Sequence, residues 1–249
     1  MKFIAIIPAR YASTRFPGKP LADIQGKPMI QHVYERTARV FAACCVATDD
    51  RRIADAVEGF GGCAVMTSPE HSSGTDRCAE ALDRYEAAAG TSFDAVINVQ
   101  GDEPFIAEEH LTALRDAFDD PDAEIATLAC LMKPDEDIFN PNAPKVTLTR
   151  EGYALYFSRS AIPYVRGAEP SRWASLHTYL KHIGIYGYRA DILRRLAQLP
   201  QGKLEAAESL EQLRWLENGY RIKVGTVTSE TVGIDTPADL ERLLKKLHC

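Results

Sequence analysis

Pro8-Ala9-Arg10-Tyr11-Ala12-Ser13-Thr14-Arg15-Phe16-Pro17-Gly18-Lys19-Pro20 follows a short apolar run, Phe3 to Ile7, that reads as a buried first strand. Three cations, Arg10, Arg15 and Lys19, fall within ten positions among Pro, Gly, Ser and Thr, so they lie on a loop and not along a helix face. Pro28 suits the first turn of a helix. The reading is strand, long cationic loop, helix. A loop at the carboxyl end of a first α/β strand is a usual place for a ligand. Arg offers a forked set of donors and Lys a mobile point charge, which together suit a polyphosphate. A solvated surface loop is the plain alternative.

Outward from this stretch the chain alternates. Ile30, Val33, Tyr34, Thr37, Val40 and Phe41 fall at helical spacing. Cys44 to Thr48 reads as a second buried strand, and Asp49 or Asp50 caps a helix carrying Ile53, Ala54 and Val57. Gly61-Gly62 ends that unit, and Cys63 to Met66 reads as a third strand. Such alternation implies parallel strands with right-handed crossovers. His71-Ser72-Ser73-Gly74-Thr75-Asp76-Arg77 then opens a helix through about Ala88. Ser, Gly and Thr at a helix start either expose backbone N–H groups to a ligand or simply cap it. Ala95 to Val99 leads into Gln100-Gly101-Asp102-Glu103-Pro104. A carboxylate directly after a buried strand is well placed to hold Mg²⁺, which favours one or two carboxylates plus phosphate oxygens. A plain helix cap is the alternative there.

A helix over Glu108 to Phe118 and a strand over Ile125 to Met132 follow. The turn-rich Asn140 to Lys145 is expected to do structural work before a strand at Val146 to Thr149. Tyr153 to Ser158 alternates like an antiparallel strand, with Arg159 directly after it. Beyond it the α/β rhythm breaks. Lys181-His182-Ile183-Gly184-Ile185-Tyr186-Gly187-Tyr188 sets polar tips on one face against apolar or tiny residues on the other, as a strand lining a cleft would. Glu205 to Asn218 reads as one helical run with Leu204, Leu210, Leu213 and Leu216 as candidates for burial. Ile222 to Val227 reads as a strand. Gly233-Ile234-Asp235-Thr236-Pro237 precedes a final helix through Leu247, and Asp235 or Thr236 is its natural cap.

Composition excludes several classes. Hydrophobic content of 45% with 26% charged residues is that of a soluble globular protein. A net charge of −6 without a basic run argues against nucleic acid and requires a local cationic patch for any anionic substrate. No stretch has the apolar length of a membrane span, the early apolar run is too brief for a signal peptide, and a cytoplasmic location is expected. The cysteines, Cys44, Cys45, Cys63, Cys78, Cys130 and Cys249, form no C-x-x-C pair and are expected to be reduced and mostly buried. No G-x-G-x-x-G or Walker A sequence occurs, so dinucleotide and P-loop readings fall away.

The string IIPARYASTRFPGKPL, from Ile6 to Leu21, closely resembles the start of the 3-deoxy-manno-octulosonate cytidylyltransferases, and the resemblance continues through SGTDR, QGDEP, YFSR, KHIGIYGY, EQLR and GIDTP almost to the end of the chain. Where that family often has Glu, this chain has Asp76. The resemblance implies a three-layer, Rossmann-like α/β nucleotidyltransferase fold with a mixed central sheet. It implies a single domain over residues 1–249, with a smaller sugar-binding and dimerisation insertion at about 143–201. Lys19, Arg10 and Arg15 would be catalytic. Pro8, Ala9, Arg10, Arg15, Lys19, Ser73, Gly74, Arg77, Gln100 and Asp102 would bind the nucleotide. Gln100, Arg159, His182, Tyr186, Glu211 and Gln212 would meet the sugar, and Asp102 and Asp235 would hold Mg²⁺. Glu103 is a less certain neighbour.

The activity implied is transfer of CMP from CTP to 3-deoxy-manno-octulosonate (Kdo), with release of pyrophosphate, in a homodimeric enzyme of lipopolysaccharide synthesis. Both substrates are anionic, so their repulsion must be screened before an in-line attack, which is the work the loop cations suit. Two other readings share the motifs: a cytidylyltransferase for another acid sugar, and a catalytically silent nucleotide-binding protein on the same fold.

Overall fold

The computed structural model describes residues 1–12, 15–71, 73–231 and 233–247. Ser13, Thr14, Ser72 and Cys249 lie outside the described residues. In chain order the elements begin with β1 Phe3–Ala9, β2 Asp23–Ile24, β3 Lys27–Pro28, α1 Met29–Val40, β4 Cys44–Thr48, α2 Arg51–Gly59 and β5 Ala64–Met66. Next come α3 Gly74–Ala89, β6 Ala95–Asn98, α4 Glu108–Asp116, β7 Ile125–Leu131, β8 Lys145–Leu148 and β9 Ala154–Ser158. The chain closes with α5 Trp173–Leu176, β10 Leu180–Arg189, α6 Ala190–Leu196, α7 Lys203–Glu208, α8 Gln212–Glu217, β11 Ile222–Val227 and α9 Pro237–Leu247. The chain divides into two compact units, the first Met1–Leu111, Arg189–Ala197 and Thr231–Cys249, the second Thr112–Tyr188 and Gln198–Glu230.

In the first unit β1 pairs in parallel with β6 on one side and β4 on the other, and β4 pairs in parallel with β5. Ile4, Ala5, Ile6 and Ile7 are all fully buried, as in a strand covered on both faces, which is why β1 reads as a continuous apolar run without alternation. Each isoleucine so buried contributes on the order of 2 kcal/mol. Parallel pairing brings the carboxyl ends of β6, β1, β4 and β5 to one edge, with the loops expected to carry chemistry. Asp50 caps α2, its carboxylate accepting from the Arg52 amide at 2.9 Å. Ser73 caps α3 in a reciprocal box: its hydroxyl accepts from the Asp76 amide at 3.1 Å, and Asp76 accepts from the Ser73 amide at 3.3 Å. The shorter Asp76 therefore still reaches the cap that Glu would make.

In the second unit β7 pairs in parallel with β11 and antiparallel with β10, and β8 pairs antiparallel with β10 and with β9. The fold is thus α/β with mixed pairing, and the expected break in rhythm is present. Along β10, Ile183 pairs with Leu128 and Tyr186 with Thr127, so Gly184 and Ile185 are an inserted pair. Because two residues are inserted, His182 and Tyr186 keep the same face.

One expectation is overturned here. The run from Glu205 to Asn218 is not one helix: α7 ends at Glu208, Ser209 takes a left-handed φ of 51°, and α8 starts at Gln212. The carbonyls of Glu208 and Ser209, released at the break, accept from Arg159. Leu210 and Leu213 are buried, but Leu204 is 38% exposed and Trp215 fills the core in place of Leu216.

Cys44, Cys45, Cys78 and Cys130 are buried, Cys63 is half-buried, and all five are free thiols. Burial raises the pKa of Cys44, Cys45, Cys63 and Cys130, which keeps these thiols protonated and unreactive. Among the described residues no helix is long and apolar enough to cross a membrane.

Candidate functional site

A cavity of about 270 Å³ opens at the carboxyl edge of the first unit. Pro8, Ala9 and Arg10 enter it from the end of β1, Arg15 from the following loop, and Lys19 from the single 3₁₀ turn, Lys19–Leu21, that ends the expected loop. His71, Ser73, Gly74 and Arg77 line it from the start of α3, Gln100, Gly101 and Asp102 from the loop after β6, and Asp235 from the approach to α9. Residues more than 200 positions apart, such as Arg15 and Asp235, thus share one wall (|i−j| = 220).

Lys19 is the centre of the charged end. Its ammonium lies 2.7 Å from Asp102 and 3.5 Å from Asp235, and Arg15 lies 3.0 Å from Asp235. The loop is held for this. Gly18 adopts φ +72°, and a Cβ there would come within 3.1 Å of the Tyr11 ring. The Gly18 amide donates to the Tyr11 carbonyl at 3.0 Å, and the Arg52 guanidinium stacks 3.3 Å from the Tyr11 ring. Gly101 sits so close to β1 that a Cβ would lie 2.9 Å from the Pro8 carbonyl oxygen, so only glycine lets the Asp102 loop approach.

Asp235 does not cap α9. Thr236 and Asp239 do, with the Thr236 amide and hydroxyl donating to Asp239 at 2.9 and 2.8 Å. Those bonds, the Thr236 hydroxyl first, hold the Asp239 pKa down to about 2. Asp235 is left to face the cations, and the Ile234 amide anchors it by donating to the Asp102 carbonyl at 2.9 Å. Glu103 is 8% exposed; burial, then the charge of Asp102, push its pKa up to about 7, against the Thr231 hydroxyl that donates to it at 3.0 Å.

At the other end Arg77 is 4% exposed, paired with Asp49 at 3.1 Å and donating to the Thr67 hydroxyl at 2.6 Å. Asp49, expected only as a possible cap, is therefore the counter-ion of Arg77. His71 lies in a motif the sequence singles out, yet no role follows from its spacing. In the fold its Nε2 meets the Glu80 carboxylate, which also accepts from the Ser68 amide at 2.8 Å and pairs with Arg84. Glu80 carries no sequence signal, since it reads as an ordinary solvated helix position.

The second unit gathers a different set. His182 is buried, and burial pushes its pKa down to about 3, so it is neutral. One bonding order satisfies its ring: Gln212 donates to Nδ1 at 3.5 Å, Nε2 donates to the Thr127 hydroxyl at 2.9 Å, and Thr127 donates to the Ile185 carbonyl at 2.8 Å. The Tyr186 ring lies 5.6 Å from the His182 ring and packs edge-on against Trp215 at 5.0 Å. Burial first, then the charge of Glu211, raise the Tyr186 pKa. Arg159 donates from Nε to the Glu208 carbonyl at 2.6 Å, from one terminal nitrogen to Pro141 at 2.9 Å and from the other to Ser209 at 3.2 Å. With Phe139, Pro141, Ser160, Ala161 and Trp173 it lines a second cavity of about 380 Å³. Lys145, fully buried, ties this region by donating to the Asn140 carbonyl at 2.9 Å and the Arg159 carbonyl at 2.7 Å.

The donor set at Lys19 fits a hard divalent cation. Two carboxylates converge on one ammonium, the arrangement in which a cation can replace the ammonium and complete its shell with phosphate oxygens. Among the described residues no cluster of three or more His, Cys, Asp or Glu forms a metal cage, so the protein offers this pair.

Comparison with known proteins gives consistent matches. Residues 4–222 match the family model described as cytidylyltransferase. The chain is 57% identical, over 98% of its length and 97% of the relative's, to the 3-deoxy-manno-octulosonate cytidylyltransferase of Parabacteroides distasonis. It is 49% identical to that of Geobacter sulfurreducens, over 99% of this chain and 100% of the relative. A solved structure of CMP:2-keto-3-deoxy-manno-octonic acid synthetase complexed with CTP superposes with a TM-score of 0.89 at 46% identity, covering 100% of this chain and 99% of the other.

Proposed function

Because the chain belongs to the 3-deoxy-manno-octulosonate cytidylyltransferase family and is a nucleotidyltransferase, we propose that it transfers CMP from CTP to the anomeric hydroxyl of Kdo, with Mg²⁺ as cofactor. The hydroxyl oxygen bonds to the α-phosphorus, the bond from that phosphorus to the pyrophosphate oxygen breaks, and the hydroxyl proton is released. The observation that carries this reading is Lys19, held between Asp102 and Asp235 at the mouth of the cationic loop.

Arg10, Arg15 and Lys19 bind the phosphates, lower the repulsion between the two anionic substrates and stabilise charge on departing pyrophosphate. Asp102 and Asp235 would hold Mg²⁺, which would supply Lewis-acid polarisation of the phosphate oxygens. Pro8, Ala9, Ser73, Gly74, Arg77 and Gln100 position the nucleotide. Arg159, His182, Tyr186, Glu211 and Gln212, with Gln100, are the sugar-side residues. Since His182 is buried and neutral with both ring nitrogens engaged, it acts by positioning. Positioning and charge stabilisation carry the catalysis, with no covalent enzyme intermediate.

The same reading makes the enzyme cytoplasmic, a source of activated Kdo for lipopolysaccharide synthesis, and a homodimer joined through residues of about 143–201. Exposed Leu155, Tyr164 and Leu176, at 60%, 72% and 52%, support that surface. The test is pyrophosphate release from CTP across a panel of acid sugars, with and without Mg²⁺. Release with Kdo, lost when Kdo or Mg²⁺ is omitted, is expected. Release only with another acid sugar would move the sugar assignment, and no release from folded protein would leave a silent nucleotide binder.

A further inference from the structure

Arg159 is a cation held by uncharged groups. Its guanidinium donates to three main-chain carbonyls, those of Pro141, Glu208 and Ser209, and among the described residues none of its bonds runs to a carboxylate. A guanidinium carries five N–H donors, so two remain, one on each terminal nitrogen. Neutral carbonyls fix the direction of the group and leave its charge uncompensated. Two donors on neighbouring nitrogens, with that charge behind them, suit one carboxylate. The cavity of about 380 Å³ beside Arg159 gives such a ligand room.

A carboxylate touches Arg159 without meeting its guanidinium. Glu208 ends α7, next to the left-handed Ser209. Its Oε2 accepts from the Arg159 amide at 2.9 Å, and its Oε1 accepts from the Ser158 hydroxyl at 2.6 Å. The Ser158 oxygen accepts in turn from the Ser160 amide at 3.0 Å. Both carboxylate oxygens are thus occupied by the end of β9, while the Glu208 carbonyl accepts from Arg159 Nε at 2.6 Å. One residue grips Arg159 at its backbone and at its side chain. The Arg159 carbonyl is taken by the Lys145 ammonium at 2.7 Å, so both backbone polar groups of Arg159 are bound by charged side chains. A surface arginine whose head lies in water needs no such anchoring.

We propose that Glu208 is a positioning residue for the acid sugar: by binding the Ser158–Arg159 backbone instead of the guanidinium, it aims Arg159 and keeps its charge open to the sugar carboxylate. Without that grip Arg159 samples more rotamers, and binding of the sugar must bear the cost of ordering it. This inference rests on the cytidylyltransferase reading, with Arg159 on the sugar side, and adds to it the group that makes Arg159 available.

The test is steady-state pyrophosphate release with Kdo and CTP varied in turn, with thermal melting recorded for each variant. Glu208→Ala is expected to raise the KM for Kdo about fivefold to tenfold and to leave the KM for CTP within about twofold. Glu208→Gln keeps an oxygen for the Arg159 amide and an NH₂ for the Ser158 oxygen, so it is expected to hold the KM for Kdo within about twofold of wild type although the charge is gone. Ser158→Ala removes one of the two bonds to the carboxylate and is expected to raise the KM for Kdo about threefold, a readout that stands even if Glu208→Ala does not fold. In an Arg159→Ala background, Glu208→Ala should add less than about twofold, because it acts through Arg159. Glu208→Gln as impaired as Glu208→Ala, an equal rise in both Michaelis constants, or full additivity with Arg159→Ala would overturn the proposal. Absence of pyrophosphate release by the wild-type protein would instead defeat the cytidylyltransferase reading, and an unchanged KM for Kdo in Arg159→Ala would defeat the sugar-side assignment of Arg159, which keeps the failures apart.

Discussion

The cavity of the first unit and the cluster around His182 in the second solve opposite electrostatic problems. At Lys19, Asp102, Asp235 and Arg15 the groups are charged, paired with one another and partly exposed, with Asp235 half open to solvent. Such pairs are exchangeable, because a phosphate can take the cations and a metal the carboxylates. At His182 the ring is buried, neutral and bonded at both nitrogens, so it cannot titrate or exchange without disturbing the core. One region is arranged to hand over its partners to a ligand, the other to hold a surface in place.

The comparison breaks most clearly on turnover. Lys19→Ala and Asp235→Asn should each lower kcat by roughly a hundredfold to a thousandfold or more, the scale of losing a transition-state charge contact, with the melting temperature little changed. Pyrophosphate release and thermal melting measured side by side check this; near-normal kinetics in either variant would remove that residue from the machinery.

The second effect is on stability. The His182 pKa is about 3 in the fold against about 6.5 unfolded, so the unfolded chain binds the extra proton in between. Stability is therefore intact above the unfolded pKa and declines as pH falls from 6.5 toward 3, by up to about 1.4 kcal/mol per pH unit. Denaturant unfolding of wild type and His182→Gln between pH 7 and 4 should show a shallower slope in the variant. Equal slopes would mean that the ring titrates normally.

Arg159→Ala should raise the KM for Kdo about tenfold, the scale of a lost charge-assisted contact, with little change for CTP. A change confined to CTP would assign Arg159 elsewhere. The smallest effect is expected at Thr236→Ala, which removes the cap of α9 at a cost of about 1 kcal/mol and lowers the melting temperature by roughly 2–4 °C. A melting temperature unchanged in this variant would show that Asp239 holds the turn without it.

The two regions also differ in how far they could be read from sequence. Arg10 and Asp102 announce themselves because charge placed soon after a buried strand has few structural uses, and Arg15 and Lys19 because they stand with Arg10 within ten positions among Pro, Gly, Ser and Thr. Ser73 was legible as a cap, since Asp76 stands three residues on. Asp49 and Glu80 were not legible, because counter-ions are chosen by tertiary proximity and their spacing matches any cap or solvated helix face. In the second unit the apolar spacing predicts one helix through Ser209, a residue with no local reason to turn left-handed. The break becomes intelligible only when Arg159, fifty positions away, is seen to take the Ser209 carbonyl (|i−j| = 50). The alternation of its strand predicts His182 on a face that lines a cleft; its burial and its neutrality depend instead on Thr127 and Gln212, which no local pattern joins to it.

³¹P NMR of CTP with Kdo, Mg²⁺ and the protein is the sharpest test of direct cytidylyl transfer at the Lys19 end of the cavity. The three CTP resonances should give way to one phosphodiester signal and pyrophosphate in equal molar amounts, and Lys19→Ala should leave the CTP spectrum unchanged over the same time. Formation of CDP and inorganic phosphate, or an unchanged CTP spectrum with folded wild-type protein, would contradict it.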